Sequence, residues 1–253
     1  MAKKISGNLF KQYCELVYSE TGINLTESKK ELLNARIAKR LRLHEMKPDA
    51  YLKKLGADPA ELRIFLDVIS TNHTFFFREA KTFKYLDTSC KKIWCAASSS
   101  GEEPYSLAMY CLDRGFRPSI AASDISDTCL EKAKTGIYQE KNAEGIPRHM
   151  LRSYFKKGQG QWNGYVKVKD DIQRMINYHR FNLIKDMPSN ETWDIIFCRN
   201  VMIYFDNTIK SQVVNKLSRV LRPKGYFIIG GAESLNGIQH SLNYVEPSVY
   251  RKA

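Results

Sequence analysis

The sequence has no run of about 18 apolar residues, so no segment of it reads as a membrane-spanning helix. Its start, MAKKISGNLF, has a basic head with no apolar stretch behind it and lacks the pattern of a secretory signal. The six cysteines (Cys14, Cys90, Cys95, Cys111, Cys129, Cys198) include no CxxC pair and no histidine at zinc spacing. Several lie inside apolar runs, where a reduced thiol behaves as a small hydrophobe. The reading is a protein of the reducing cytoplasm with no structural metal. Internal repeats and low-complexity tracts are also missing. Acidic residues are scarce: 27 Asp and Glu against 40 Lys and Arg leave a formal charge of +13. Such a balance favours an acidic partner, which charge alone does not identify as nucleic acid, anionic membrane or protein.

What is present suffices for a sizeable core. The chain has 253 residues, 43% of them hydrophobic, enough for one large domain or two smaller ones. Residues 1 to about 90 read as helices. Ser6 or Gly7 can start one through LFKQYCELVYSETG, which Gly22 ends. Thr26-Glu27-Ser28 leads into a second, where Leu33, Ile37 and Leu41 recur at four-residue spacing and Lys29, Arg36, Lys39, Arg40 and Arg42 take the other faces. Asp58, with Pro59 behind it, starts a third helix to Ser70. From Lys92 the pattern becomes an alternation: IWCAA, a helix over 102–114, SIAASDI, a helix over 126–134, WDIIFCRN, a helix over 207–221, then YFIIGG. Short apolar strands between helices predict an α/β fold, a doubly wound parallel sheet covered on both faces. The alternation breaks between Tyr138 and Arg180, where GQGQWNG and the alternating YVKVK predict a small antiparallel β insertion at about 150–180. The implied organisation is a helical domain over 1–75 and an α/β domain over 76–253.

Ligands of open α/β sheets bind beyond the carboxyl ends of the strands. The run WCAASSSGEEPYSLAM places a strand-to-helix turn there, with Glu102 and Glu103 at its mouth. A capping box from Ser100 to Glu103 accounts for both acids without a ligand. Asp124 tips the balance: it ends the second strand about twenty residues beyond Gly101, where such folds hold ribose hydroxyls. A helix cap is its plain alternative. GxGxxG is absent, and a pyrophosphate fits poorly beside two glutamates. The ligand should therefore carry a ribose and positive charge, and S-adenosylmethionine has both.

TNHTFFFRE (Thr71–Glu79), SSSGEEPYSLAM, SDISDTCLEKAKTGIY, FNL, FCRNVMIYFD and GGAESL follow one another in an order that resembles the CheR chemotaxis receptor methyltransferases from about Phe10 to the C-terminus. The resemblance implies a Rossmann-like S-adenosylmethionine-dependent enzyme that esterifies glutamate side chains on chemoreceptor cytoplasmic domains. It implies Asn72, Thr74, Arg78, Glu103, Asp124, Asn182, Leu183, Asn200 and Val201 as cofactor contacts, with Arg78 and Tyr204 facing the methyl group. Arg36, Lys39, Arg40 and Arg42 become a docking face for acidic receptor helices, where composition alone suggests only a solvated one. The insertion resembles members that hold a receptor's C-terminal tail, with YVKVK as an exposed edge. A monomer recruited to membrane receptors is expected, with no nucleic acid and no metal. Ser100 stands where members often carry Thr, Ala232 where many carry His, and the link from Arg78 to Ile93 is short.

A glutamate has a pKa of ~4.3 and is already ionised at neutral pH, so the acceptor needs positioning rather than a base. Arg78 is read as orienting charge rather than activating a nucleophile, because a tight ground-state grip on the carboxylate would slow the step. Pairing with Glu79 is its plain alternative, as packing is for Tyr204. Cys198 reads as core, and His73, His149, His179 and His240 form no ligand set. Two rivals stand beside this reading. A methyltransferase of nucleic acid suits the charge, but Arg199-Asn200-Val201-Met202 lacks the Pro-Pro-aromatic signature of amino-methylating DNA enzymes. The other is a cofactor-binding regulator without catalysis.

Overall fold

A computed structural model describes residues 7–25, 30–70 and 72–253. Ser6, the Thr26-Glu27-Ser28 lead-in, Lys29 and Thr71 lie outside the described residues. The chain opens with four helices: α1 (Gly7–Thr21), α2 (Lys30–His44), α3 (Pro48–Ala57) and α4 (Pro59–Ile69). Gly22, at φ +71°, ends α1 as its position suggested. Asp58 caps α4 by accepting from the Ala60 and Glu61 amides. The sequence reading missed α3, which Pro48 opens. Leu33 and Ile37 of α2 enter a core built on Tyr13, Tyr51 and Phe65.

Two of the four residues expected to form the cationic face of α2 do not point outward. Arg40 makes a forked contact with Glu61 (2.5–2.9 Å), a carboxylate 5% exposed that also accepts from Tyr51 and lies 3.0 Å from His44. Arg36 donates to the Ile69 and Ser70 carbonyls at the end of α4. A buried carboxylate and unsatisfied helix-end carbonyls both demand donors, and these arginines supply them. Lys39 and Arg42 are exposed.

The alternating half follows in order: β1 (Lys92–Cys95), α5 (Glu102–Asp113), β2 (Ser119–Asp124), α6 (Asp127–Thr135), β3 (Ile137–Gln139), α7 (Arg148–Tyr154), β4 (Phe155–Lys157), β5 (Tyr165–Val168), α8 (Asp170–Gln173), β6 (Ile176–Arg180), β7 (Trp193–Phe197), α9 (Asn207–Arg219), β8 (Leu221–Ile228), β9 (Leu242–Glu246) and β10 (Val249–Lys252). The main sheet has the order β6-β2-β1-β7-β8-β10-β9. Its first five strands are parallel, and β10 and β9 close it as an antiparallel hairpin. Both faces are buried: Ile93 and Cys95 face one core with Phe83 and Tyr105, while Trp94 faces another with Val213 and Leu217. The helix expected to run to Leu221 ends at Arg219, and β8 begins before Pro223. An irregularity in its register with β7 takes up Pro223-Lys224-Gly225. The short link after Arg78 is a 3-10 helix, Ala80–Tyr85, anchored by the fully buried Phe83.

The insertion is a three-stranded antiparallel sheet ordered β3-β5-β4, so it starts earlier than expected, at Ile137. YVKVK forms β5, the central strand and not an edge. Val166 and Val168 are buried while Lys167 points out, and the free edges belong to β3 and β4.

Candidate active site

One continuous cleft lies at the carboxyl ends of β1, β2, β6 and β7. Its inner part is apolar, walled by Ile23, Ala96, Leu183, Val201 and Phe205; its outer part is polar, with Ser99, Glu103, Arg199 and Tyr204. Ile23, Ala97, Asp124, Ile125 and Val201 border both parts. Asn72, Thr74, Arg78, Glu103, Asp124, Asn182, Leu183, Asn200, Val201 and Tyr204 all line this cleft, brought together from five separate stretches of chain.

The turn after β1 is not a capping box. Gly101, at φ +93°, is the N-cap of α5 without a side-chain bond, and Ser100 Oγ donates to Glu102 at 2.7 Å. A Cβ at Gly101 would lie 2.7 Å from the Ala133 Cβ and 3.0 Å from the hydroxyls of Tyr138 and Tyr178, so only glycine fits. Asp124 is not the cap of α6 either, since Ser126 fills that role by accepting from the Cys129 amide. The Asp124 carboxylate accepts from the Ser126 amide at 3.0 Å and the Ser99 amide at 2.8 Å, which holds the turn after β1 against β2. Burial pushes its pKa up, and those amides oppose the shift.

Arg199, whose side chain is 1% exposed, bridges Glu103 at 2.6 Å and Glu79 at 2.9 Å, and also donates to the Arg78 carbonyl. Burial raises the Glu103 carboxyl against the pull of Arg199. Burial acts the same way on Glu79, but there hydrogen bonds from Arg199 and the Gly231 amide win and the pKa falls. Glu233 gathers the amides of Asn200, Met202, Ile203 and Gly230. The motifs contain Glu79, Arg199 and Glu233, but pattern alone suggests only Arg78 as a partner of Glu79 and none for Arg199 or Glu233. An acid or arginine inside an otherwise apolar run was the signal available.

Backbone strain gathers at the same place. Phe77 (φ 57°), Glu79 (φ 49°), Ser99 (φ 48°) and Asn200 (φ 59°) are non-glycine residues in the left-handed region. Such strain costs on the order of 1–3 kcal/mol each and persists where surroundings over-determine it. Arg78 sits between two of these residues. Its guanidinium donates to the His73 carbonyl at 3.0 Å and lies over the Phe75 ring, with Glu79 farther off at 3.7 Å. The Asn182 amide is engaged by the Glu20 carbonyl and the Ile184 amide, so it lends the cleft surface rather than a free donor. Cys198 is fully buried and its thiol pKa is pushed well up, as suits a core residue. Among the described residues no group of three or more His, Cys, Asp or Glu could hold a metal ion.

The inner part suits a flat ring against alanine and branched side chains, with the buried Asp124 carboxylate at its border with the polar part. The glycine cradle and paired glutamates suit a cation better than a phosphate. The fold is that of a Rossmann-like S-adenosylmethionine-dependent methyltransferase. The chain belongs to the CheR methyltransferase family: the family's S-adenosylmethionine-binding domain matches residues 72–251, and its all-alpha domain matches residues 8–70. It is 34% identical to a chemotaxis protein methyltransferase of Borreliella burgdorferi over 94% of this chain and 92% of that one. Chemotaxis protein methyltransferase 2 of Pseudomonas aeruginosa is 34% identical over 96% and 92%, and the Salmonella typhimurium chemotaxis protein methyltransferase 33% over 95% and 88%.

Proposed function

We propose that the protein methylates glutamate side chains on the acidic helices of chemoreceptor cytoplasmic domains, giving methyl esters. The observation that carries this reading is the state of the carboxylates lining the cleft. Asp124 is tied to two amides and Glu103 to Arg199, so neither stands ready to take a proton from an amine or alcohol. A glutamate acceptor needs none taken.

When bound, S-adenosylmethionine supplies an electrophilic methyl on a sulfonium. In this reading Asp124 accepts from the ribose hydroxyls, Ala96, Ala97, Leu183 and Val201 enclose the adenine, and Asn72, Thr74, Glu103 and Asn200 meet the methionine portion. Arg78 and Tyr204, at the polar end, orient the incoming carboxylate. Arg199 is neutralised by its two carboxylates, which keeps its charge from gripping the acceptor in the ground state. The strained turns around Arg78 and Asn200 preset their side chains before substrate arrives.

The relatives' names point to receptors as partners, and two surfaces suit that reading. Lys39 and Arg42 project from α2 toward an acidic helix. The β insertion has a pocket beside β4 lined by Ile137, Lys156, Gln159, Trp162 and Tyr165, suited to an extended receptor tail with an aromatic anchor. Incubation with tritiated cofactor and receptor fragments tests the reaction. Label released as methanol by mild base supports an ester; base-stable label, or none, removes the proposal.

A further inference from the structure

The β insertion reaches the catalytic cleft through two aromatic residues. Tyr138 of β3 is 1% exposed, and its hydroxyl donates to the Ser100 carbonyl at 2.6 Å, within the turn after β1, the cofactor turn of the proposed function. The same hydroxyl forms part of the wall that leaves Gly101 no room for a side chain. Its ring meets Phe76 edge-on at 5.0 Å, and Phe155 of β4 meets Phe76 from another side at 5.5 Å. Phe76 is buried and lies two residues before Arg78, ahead of the left-handed Phe77. The Phe77 amide is tied to Ser106 Oγ, which in turn donates to the Glu102 carbonyl at the start of α5. The Arg78 turn and the cofactor turn therefore rest on the same pair of insertion strands.

We infer that the insertion is a working part of the catalytic site, with Tyr138 as the positioning residue for the cofactor turn and Phe155 as the brace for the Arg78 turn. This holds apart from any partner docked on the insertion's outer face, and it rests on the cleft being the cofactor site. Left-handed Ser99 and Gly101 flank Ser100, and the Tyr138 hydroxyl fixes the Ser100 carbonyl between them, while the Ser99 and Gly101 amides are held by Asp124 and the Ser98 carbonyl. Loss of that bond frees the turn in the unliganded protein. Loss of Phe155 bulk leaves the bond but loosens Phe76.

Tyr138→Phe keeps the ring and removes the bond. It should weaken S-adenosylhomocysteine about tenfold by calorimetry, the order of a net hydrogen bond plus an orphaned carbonyl. Amide exchange at Ser99–Glu102 should speed up in the unliganded protein. Tyr13→Phe is the control, because Tyr13 also donates from a buried position to a carbonyl at 2.7 Å, that of Pro48 in the helical domain. It should lose comparable stability with affinity unchanged. Phe155→Leu should lower kcat several-fold on a tail-less receptor fragment while affinity stays within twofold. The inference is overturned if Tyr138→Phe binds within twofold of wild type with unchanged exchange, or if Tyr13→Phe weakens binding equally. Should Tyr138→Phe not fold, an unchanged kcat in Phe155→Leu overturns it alone. Asp124→Ala run in parallel separates the levels: normal binding there removes the cofactor-site reading, and normal binding in Tyr138→Phe alone removes only this one.

Discussion

Arg199 lies between Glu103 and Glu79, 2.6 Å from one carboxylate and 2.9 Å from the other, with almost none of its side chain in contact with solvent. Removing one partner of a buried ionic group leaves uncompensated charge. Arg199→Ala is expected to destabilise the protein by about 3–5 kcal/mol in urea unfolding. Arg199→Lys should recover only part, since an ammonium does not span two carboxylates as a fork. A loss under about 1 kcal/mol would mean that the pair behaves as an exposed one.

Asp124→Ala should weaken S-adenosylmethionine by roughly tenfold or more, the worth of hydrogen bonds to a charged acceptor. The wild type should also bind less tightly in acid, because burial raises the Asp124 pKa and the carboxylate protonates above the ordinary aspartate range. The stability sign is opposite. The contribution of a carboxyl with a raised folded pKa is fully present below its unfolded pKa and lost as pH rises through the folded one. Calorimetric titrations at successively lower pH check the binding and thermal unfolding over the same series checks the stability, and affinity in the alanine variant should lack this pH dependence.

Among the described residues Arg78 donates to one backbone carbonyl, lies 3.7 Å from Glu79 and keeps 24% of its side chain exposed, so the fold depends little on it. Arg78→Ala is expected to shift the unfolding midpoint little and to lower the rate at saturating cofactor by about a hundredfold, the scale of misplacing a reactant. Single-turnover rates with a receptor fragment measure it. A wild-type rate removes the assignment.

On α2, charge reversal separates docking from folding. Lys39→Glu with Arg42→Glu should raise KM for a receptor fragment and leave cofactor affinity alone, with the effect shrinking in salt as the screening length falls below about 10 Å. Arg40→Glu should instead unfold the helical domain, because it sets a second carboxylate against buried Glu61. Circular dichroism distinguishes the two outcomes.

Trp162, 48% exposed and edge-on to Tyr165 at 6.0 Å, is the aromatic wall of the insertion's pocket. Trp162→Ala is expected to abolish binding of receptor-tail peptides in fluorescence anisotropy while methylation of a tail-less fragment continues. If no tail peptide binds the wild type, the lysines of β4 and β5 serve solubility.

Periodicity made the parallel sheet legible, and the motif order named ten residues that the fold gathers along one cleft at its carboxyl end. The misses share a physical cause. Arg36 and Arg40 are ordinary surface residues by pattern, and only the packing of α2 on α4 turns them inward. Ser100 and Glu103 have capping-box spacing, yet the left-handed Gly101 takes the cap position. YVKVK alternates as an edge strand would, but a central strand with one buried face alternates identically. The β9–β10 hairpin turns at Pro247-Ser248, with Ser248 at φ 69°, a conformation that a serine does not advertise. Arg199 was invisible for a different reason: pairing depends on carboxylates about 100 residues away in the chain.

The last turn of α1 belongs to the helical half, yet Thr21 and the following Ile23 form part of the cleft wall. The Asn24 amide donates to the Tyr204 carbonyl, Tyr18 donates to Asp206, and Lys185 pairs with Glu20. The α/β half by itself therefore has an open-sided cleft. The width of that side is set at the seam between the halves, by the hold of α1 on Tyr204 and Asp206 and not only by the turns of the sheet.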